Sequence, residues 1–306
     1  MSLPIIDAVV VTFNPGPEFP RRLETYIRQV RRVRIIDNST EPRDSFFAPL
    51  SATYGAALEV VRNGDNLGLA QAQNIGVSRA MEDGAEWVIF FDDDSEAAPD
   101  MVARLFAAYA AYAEPSRIAL LAPVVRDRHS GDESRLLVPQ GLLGIRRVRA
   151  DAQAATDKAL TVIASGSALK TEVIRQCGPF REAYFIDWVD IEYCLRLRAQ
   201  GWRILVAGDA VLYHALGRKT KHGLPGATFA TSNHMPWRRY TMYRNRIDSW
   251  QRYGRKFPAY VAYDATMAAY EALKILCLER QKAAKLSAML QGLRDGMLGR
   301  FPRPPL

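Results

Sequence analysis

Three consecutive carboxylates, Asp92-Asp93-Asp94, follow the apolar run Trp87-Val-Ile-Phe-Phe91. A run of that kind reads as a buried strand, so the acids stand at its C-terminal end. Negative charges crowded there are costly unless something positive joins them. A hard divalent cation held by carboxylate oxygens, together with substrate phosphates, meets that need. The triplet therefore points to chemistry on a phosphorylated or nucleotide-linked molecule. The competing reading is that Asp94 or Ser95 only caps the helix that begins near Pro99.

Other residues with chemical potential also fall where elements end. Asp37-Asn-Ser39 closes a second strand, where a carboxylate can accept hydrogen bonds from a base or ribose, or simply shape a turn. Asn66-Leu-Gly68 leads into a helix that carries Asn74; glycine permits close backbone approach and a helix N-terminus favours anions. Asp187-Trp188-Val-Asp190-Ile-Glu192 precedes another helix, where a carboxylate is either a cap or a positioned general base. Glu192 and Arg196 have the i,i+4 spacing of an ion pair. His214 follows a short strand and is either structural or a ligand. Tyr243-Arg244-Asn245 opens a helical stretch where Arg244 could contact phosphate or sugar, or lie on a surface helix.

The elements that must position these residues alternate. Strands are predicted at Ile5–Thr12, Val33–Asp37, Leu58–Arg62, Trp87–Phe91 and Ile118–Ala122, with helices at 18–30, 69–81 and 99–113. That order predicts an α/β fold, a mostly parallel twisted sheet flanked by helices, whose ligands bind beyond the strands' carboxyl ends. Further on, a strand is predicted at Leu160–Ala164, ending in Ser165-Gly166-Ser167. A helix follows at Ile191–Gln200, then short strands at Ile204–Val206 and Val211–Tyr213. Residues 215–235, rich in Gly, Lys, Thr and His, read as a loop, and the chain after Trp237 reads as helical. The expected division is a catalytic domain over 1–235, with a nucleotide-binding half at 1–125 and an acceptor-binding half at 126–235, followed by a helical region at 236–306.

Taken together and in order, Val10-Val-Thr12-Phe-Asn14, Asp37-Asn-Ser39, Asn66-x-Gly68…Asn74, Asp92-Asp93-Asp94, Gly166-Ser167, Asp190-x-Glu192 and His214-x-x-Gly217 resemble the inverting GT-A glycosyltransferases of family 2. The DNS form of the second motif, the stretch FIDWVDIEYCLR, Tyr243-Arg244-Asn245 and Lys285…Gly292-Leu-Arg-Asp-Gly296 are most similar to its bacterial rhamnosyltransferase branch. The resemblance implies that Thr12, Asn14 and Asp37 line the base and ribose site. Asn66, Gly68 and Asn74 would complete the nucleotide pocket, with Asp92, Asp93 and Arg244 on the donor side. Asp94 and His214 would hold Mg2+ or Mn2+. Asp190 would be the base, and Gly166, Ser167, Asp187 and Trp188 would meet the acceptor. The family often has an acidic pair before this helix, whereas Val189 precedes Asp190 here, so Asp187 is the reserve base. The implied donor is a dTDP-sugar, dTDP-β-L-rhamnose first, with another nucleotide-diphosphate sugar or a non-catalytic binding protein as alternatives.

Composition narrows the setting. The chain has 306 residues, 48% hydrophobic and 24% charged, which suits a globular protein with a substantial core. Its three cysteines have no metal-site spacing, and an odd count fits a reducing compartment. The first residues carry no basic n-region, so no secretory signal is read. Residues 251–306 hold ten Lys/Arg against four Asp/Glu, so most of the net +8 lies in the tail. Leu286, Met289, Leu290, Leu293 and Met297 form a helical stripe, and Ala269, Leu273, Leu276 and Cys277 share another face. Basic amphipathic helices suit an anionic membrane surface; packing on the catalytic domain or a second subunit of a homo-oligomer is the alternative. The expected location is therefore the cytoplasmic face of the inner membrane, by peripheral contact through 255–306, with a glycolipid or lipid-linked glycan as acceptor. No nucleic-acid module is recognisable. A nucleotidyltransferase would want basic residues in a Gly-rich loop after the first strand, which Thr12-Phe-Asn-Pro-Gly16 lacks.

Overall fold

The computed structural model describes residues 4–128, 130–214, 220–224 and 227–304, with backbone alone for 220–224 and 227–230. The chain divides into two compact units, one of residues 1–138, 147–182 and 189–215, the other of 139–146, 183–188 and 216–306. The division differs from the expected boundary at 235, because 183–188 and 216–235 group with the helical tail.

In chain order the first unit begins with β1 (Ile6–Thr12), α1 (Phe19–Ile27), β2 (Arg32–Asp37), α2 (Asp44–Tyr54), β3 (Leu58–Arg62), α3 (Leu69–Glu82), β4 (Trp87–Asp92), β5 (Glu96–Ala97), α4 (Met101–Ala111) and β6 (Ile118–Asp127). A hairpin, β7 (Leu136–Gln140) and β8 (Gly144–Val148), follows, its residues 139–146 counted with the second unit. Next come β9 (Ala155–Thr156), β10 (Ala168–Lys170), α5 (Thr171–Cys177), α6 (Val189–Ala199) and β11 (Arg203–His214). The main sheet has the order β3-β2-β1-β4-β10-β6-β11-β5, with β9 on β11. The first four strands of that order pair in parallel, as do β6 and β11, while β10, β5 and β9 run antiparallel to their neighbours. The predicted α/β, mostly parallel architecture is the one observed.

Burial explains this order. β1 is buried along almost its whole length and takes the centre, as a near-continuous apolar run should. Asp7, the interruption in that run, is fully buried and paired with Arg31 and Arg34. Tyr26 of α1 stacks on Phe91 of β4 with ring centroids 4.1 Å apart.

Two expectations for the second half are corrected. Leu160–Ala164 is not a strand; the strand is β10, after the Ser165-Gly166-Ser167 turn, because only 168–170 lie between β4 and β6 with backbone groups to share. The two short strands predicted at 204–206 and 211–213 are one strand, β11, whose register on β6 shifts between Ala207 and Val211. The irregularity breaks the apolar alternation that sequence reading relies on.

The second unit contains β12 (Thr220–Leu224), β13 (Ala227–Thr231), α7 (Pro236–Tyr253), α8 (Pro258–Leu278) and α9 (Lys282–Met297). β12 and β13 pair antiparallel, where a loop was expected. Its core joins Tyr243, Ala268, Ile275 and Met289, with Leu286 and Leu293 packed against them. The stripe read on α9 therefore splits: those three residues pack inward, while Leu290 and Met297 remain exposed.

The glycines of the tail motif have a packing reason. A Cβ on Gly292 would stand 2.4 Å from the Tyr240 carbonyl oxygen, and one on Gly296 2.5 Å from that of Arg244. Both clashes are with backbone, so α7 and α9 would have to move apart. Gly292→Ala should destabilise the protein by about 1–3 kcal/mol, read as a lowered thermal midpoint; an unchanged midpoint would show that the close helix contact is dispensable.

Candidate functional site

The site is built on the carboxyl edge of the sheet. Register sets Thr12 beside Asp37 and Val11 beside Asp92, so the ends of three strands, β2, β1 and β4, deliver polar groups to one edge. The Asp37 carboxylate is buried. Its Oδ1 accepts from Thr12 Oγ1 at 2.9 Å and from Ser39 Oγ at 2.7 Å, while Oδ2 has no hydrogen-bond partner among the described residues. A buried carboxylate oxygen left in that state is costly unless a ligand donates to it. Ser39 Oγ also accepts from the Asn14 backbone N–H, and Asn14 lies in the left-handed region with φ 51°. Asn66 and Gly68 shape the turn into α3: Asn66 Oδ1 accepts from Gly68 N–H, and the Gly68 carbonyl accepts from Asn38.

The aspartates lie at and just beyond the end of β4, where a turn closes from Ser95 N–H to the Asp92 carbonyl. β5 immediately follows and pairs with β11, Tyr213 opposite Glu96, which carries His214 back to the triplet. His214 Nδ1 lies 3.0 Å from Asp94 Oδ1, and Nε2 lies 3.8 Å from Asp92 Oδ2. One donor atom from each of Asp92, Asp94 and His214 falls within 4.8 Å of the others.

Ser95 Oγ sits 3.1 Å from His214 Nδ1 and 2.7 Å from Ser165 Oγ, and Ser165 Oγ accepts from Asp92 N–H. These two buried hydroxyls tie all three elements together. Arg128 adds a further tie, its backbone N–H donating to the His214 carbonyl and its guanidinium to that of Asp94. Arg22 donates to the Asp93 carbonyl, and Glu96 pairs with both arginines.

The electrostatics suit a cation site. Burial, then the neighbouring Asp94 and Asp190 charges, pushes Asp92 up to about 6 against the pull of His214. Burial and the other two acids push Asp93 up to about 6 as well. Burial opposes ionisation of Asp94, yet the His214 contact, Arg128 and Arg22 hold it below its ordinary value. Burial likewise works against a charged His214, but Asp94 and Asp92 raise its pKa. Two carboxylates and an imidazole, with Asp94 Oδ1 3.0 Å from His214 Nδ1, fit a Mn2+- or Mg2+-like ion.

Asp190 occupies the first turn of α6, half-buried, with Oδ1 accepting from Ile191 N–H at 2.8 Å. Its charge is among the smaller influences that raise Asp92. Glu192 pairs with Arg196 at 2.6 Å as the i,i+4 spacing predicts.

Several expected site residues serve elsewhere. Asn74 is engaged by Phe180 backbone groups and Glu182, so it ties α3 to the 180–182 segment rather than completing a nucleotide pocket. Ser167 donates to the Ile163 carbonyl, and at Gly166, φ 77°, a Cβ would collide with Pro123 and crowd Leu212. In the second unit Asp187 forms a two-pronged pair with Arg238, and Trp188 donates to Tyr260 beneath the Arg246 guanidinium. Arg244 is fully buried and donates to the carbonyls of Pro302, Ala183 and Tyr184, so it is not a donor-sugar contact here. Asn245 donates to the carbonyls of 184, 186 and 187. The Arg244-Asn245 pair thus grips a segment in which Phe185, Asp187 and Trp188 all have positive φ, an uncommon and costly state for such residues. Gly217 lies outside the described residues. Ser95, Ser165 and Arg128 were not foreseen; both serines abut quoted motifs, but nothing in the sequence distinguishes Arg128 within its polar loop.

Solved structures share this architecture. That of GalNAc-T7 with UDP, GalNAc and Mn2+ superposes with a TM-score of 0.63 at 15% identity, over 99% of this chain and 59% of that one. TarS 1-349 of S. aureus, in complex with UDP-GlcNAc, gives 0.52 at 14% identity over 96% and 72%. The fold is therefore that of the GT-A glycosyltransferases. The glycosyl transferase family 2 model matches residues 7–177, and the chain belongs to that family. A dTDP-rhamnosyl transferase, RfbF of Shigella flexneri, is 30% identical over 244 residues, 78% of either chain. A galactofuranosyltransferase, GlfT1 of Mycobacterium tuberculosis, is 30% identical over 248 residues, 78% of this chain and 80% of that one. The chain is accordingly a glycosyltransferase.

Proposed function

We propose that the protein is a metal-dependent inverting transferase that moves L-rhamnose from dTDP-β-L-rhamnose to a hydroxyl of a glycolipid or lipid-linked glycan. The observation that carries the reaction type is one sheet edge bearing the Asp92–Asp94–His214 cluster and the unsatisfied Asp37 oxygen, with the Asp190 charge among the influences on Asp92. The rhamnose assignment rests on the similarity to RfbF. A reading with another nucleotide-diphosphate sugar is kept because GlfT1 is equally identical.

In this reading Asp37, with Thr12 and Asn14 beside it, receives the base or ribose. Asp92, Asp94 and His214 would hold Mg2+ or Mn2+, which when bound offsets charge developing on the leaving diphosphate. Asp93, held through its backbone by Arg22, supports the donor side. Asp190 accepts the acceptor hydroxyl's proton as that oxygen bonds to C1. The bond from C1 to the diphosphate oxygen breaks, dTDP departs, and the configuration at C1 inverts. Among the described residues no helix is long and apolar enough to cross a membrane, so the proposed work at the cytoplasmic face of the inner membrane would be by peripheral contact.

The test is thermal stabilisation by dTDP-rhamnose, UDP-glucose, UDP-galactose, UDP-galactofuranose and GDP-mannose, each with and without Mn2+. The largest shift should come from dTDP-rhamnose with Mn2+. A larger shift from a UDP-sugar would replace the rhamnose assignment, and shifts indifferent to Mn2+ would remove the metal from the reading.

A further inference from the structure

Helix α8 is inside out. Its inward face carries Asp264 and Glu271, with Glu279 just past its end, and these acids are spent on buried cations: Asp264 on Arg246, Glu271 on Arg239, and Glu279 on Arg239 and Lys285. Its outward face carries no acid, and its one cation, Lys274, lies over the Tyr270 ring. Thr266, Tyr270, Leu273, Leu276 and Cys277 recur there at helical spacing and are all exposed, Leu273 at 57% and Leu276 at 48%. A helix that meets water normally shows the reverse arrangement. Isolated exposed leucines are ordinary, but a continuous apolar stripe above a charged interior marks a surface built to be covered.

Charge decides what covers it. Because the acids of this region face inward, exposed Arg280 and Lys282 stand at the stripe's end, and Lys274 lies 4.8 Å above the Tyr270 ring on its flank. Residues 251–306 carry a net +6. A second copy of the same surface would bring like charge to like, whereas an anionic bilayer supplies both the apolar layer and the opposite charge. We infer that the outward face of α8 docks on anionic lipid, with the leucines in the headgroup–acyl boundary and Arg280 and Lys282 among the headgroups.

The inference deepens the proposed membrane-side location. Its test needs neither donor nor acceptor, so its failure is separable from failure of the transferase reading. Full-length protein is floated with phosphatidylcholine vesicles, with and without phosphatidylglycerol. Wild type should float with the anionic vesicles only, and less so in high salt. The double variant Leu273→Glu, Leu276→Glu should bind at least about tenfold more weakly. Because both side chains are exposed, its thermal midpoint should match wild type. A second variant, Arg280→Glu with Lys282→Glu, should lose the preference for phosphatidylglycerol, and it keeps the idea testable should the first not fold. Equal flotation of the folded leucine variant would overturn the inference. So would a wild-type dimer in light scattering that this variant splits into monomers, which would assign the face to a second copy.

Discussion

Asp190→Asn should lower transfer by about 10²–10⁴-fold, the range a positioned general base contributes, while the Mn2+-dependent donor shift survives. The change is nearly isosteric: Asp190 Oδ1 accepts the Ile191 N–H, and an asparagine oxygen can do the same, so α6 should start where it does now. What is lost is the ability to take the acceptor's proton at neutral pH. Removing the Asp190 charge also relieves one of the influences that, after burial, push Asp92 up to about 6, so cation binding should not suffer. Steady-state turnover and thermal shift on the same preparation check both halves. Turnover near wild type would remove Asp190 as base, and a lost donor shift would mean that it binds rather than reacts.

The first half of the fold was legible because it follows simple rules. β1 to β4 are apolar runs punctuated by polar residues, and those residues fall at the carboxyl edge because parallel strands leave no other place for them. The candidate cation cluster was legible in its acids and in His214, since each follows a strand. Its supports were not, because a serine hydroxyl or an arginine reaching a main-chain carbonyl has no periodicity. Asn74 shows the reverse error. It sits on the helix that Gly68 opens, as the motif requires, yet its amide is used by Phe180, far away in sequence.

The helical unit keeps the expected periodicity but not the usual placement of charge. The sequence left its apolar stripes two outlets, an anionic surface or packing on protein. Here Arg239, Arg244, Arg246 and Lys285 are buried and the acids follow them inward, so the α8 stripe is left exposed. On α9 the ordinary rule held for Met289. The Tyr243-Arg244-Asn245 motif belongs to this same polar interior. Through Arg244 and Asn245 it holds residues 183–188, the segment that precedes α6 in the chain.

Asp94→Ala should weaken Mn2+ affinity by at least about 100-fold, the upper end of what loss of an outer support costs a metal site, and should lower transfer at limiting metal to match. Asp94 stands apart from the other two aspartates for a specific reason. Asp92 and Asp93 are pushed up to about 6, whereas the His214 contact and two arginines keep Asp94 ionised despite its burial. Titration of the Mn2+ electron paramagnetic resonance signal gives the affinity without any donor present. The substitution relieves repulsion on Asp92 and Asp93 but also removes the favourable pairing with His214 and the two arginines, so the metal-free variant should lose some stability, and its thermal midpoint, still well above the titration temperature, checks that lost binding does not reflect unfolding. Unchanged Mn2+ affinity would leave the aspartates as a turn with a costly charge and move the cation elsewhere. The two aspartate variants then sort the roles: Asp190→Asn keeps Mn2+ and donor but not turnover, whereas Asp94→Ala loses the Mn2+ on which donor binding depends.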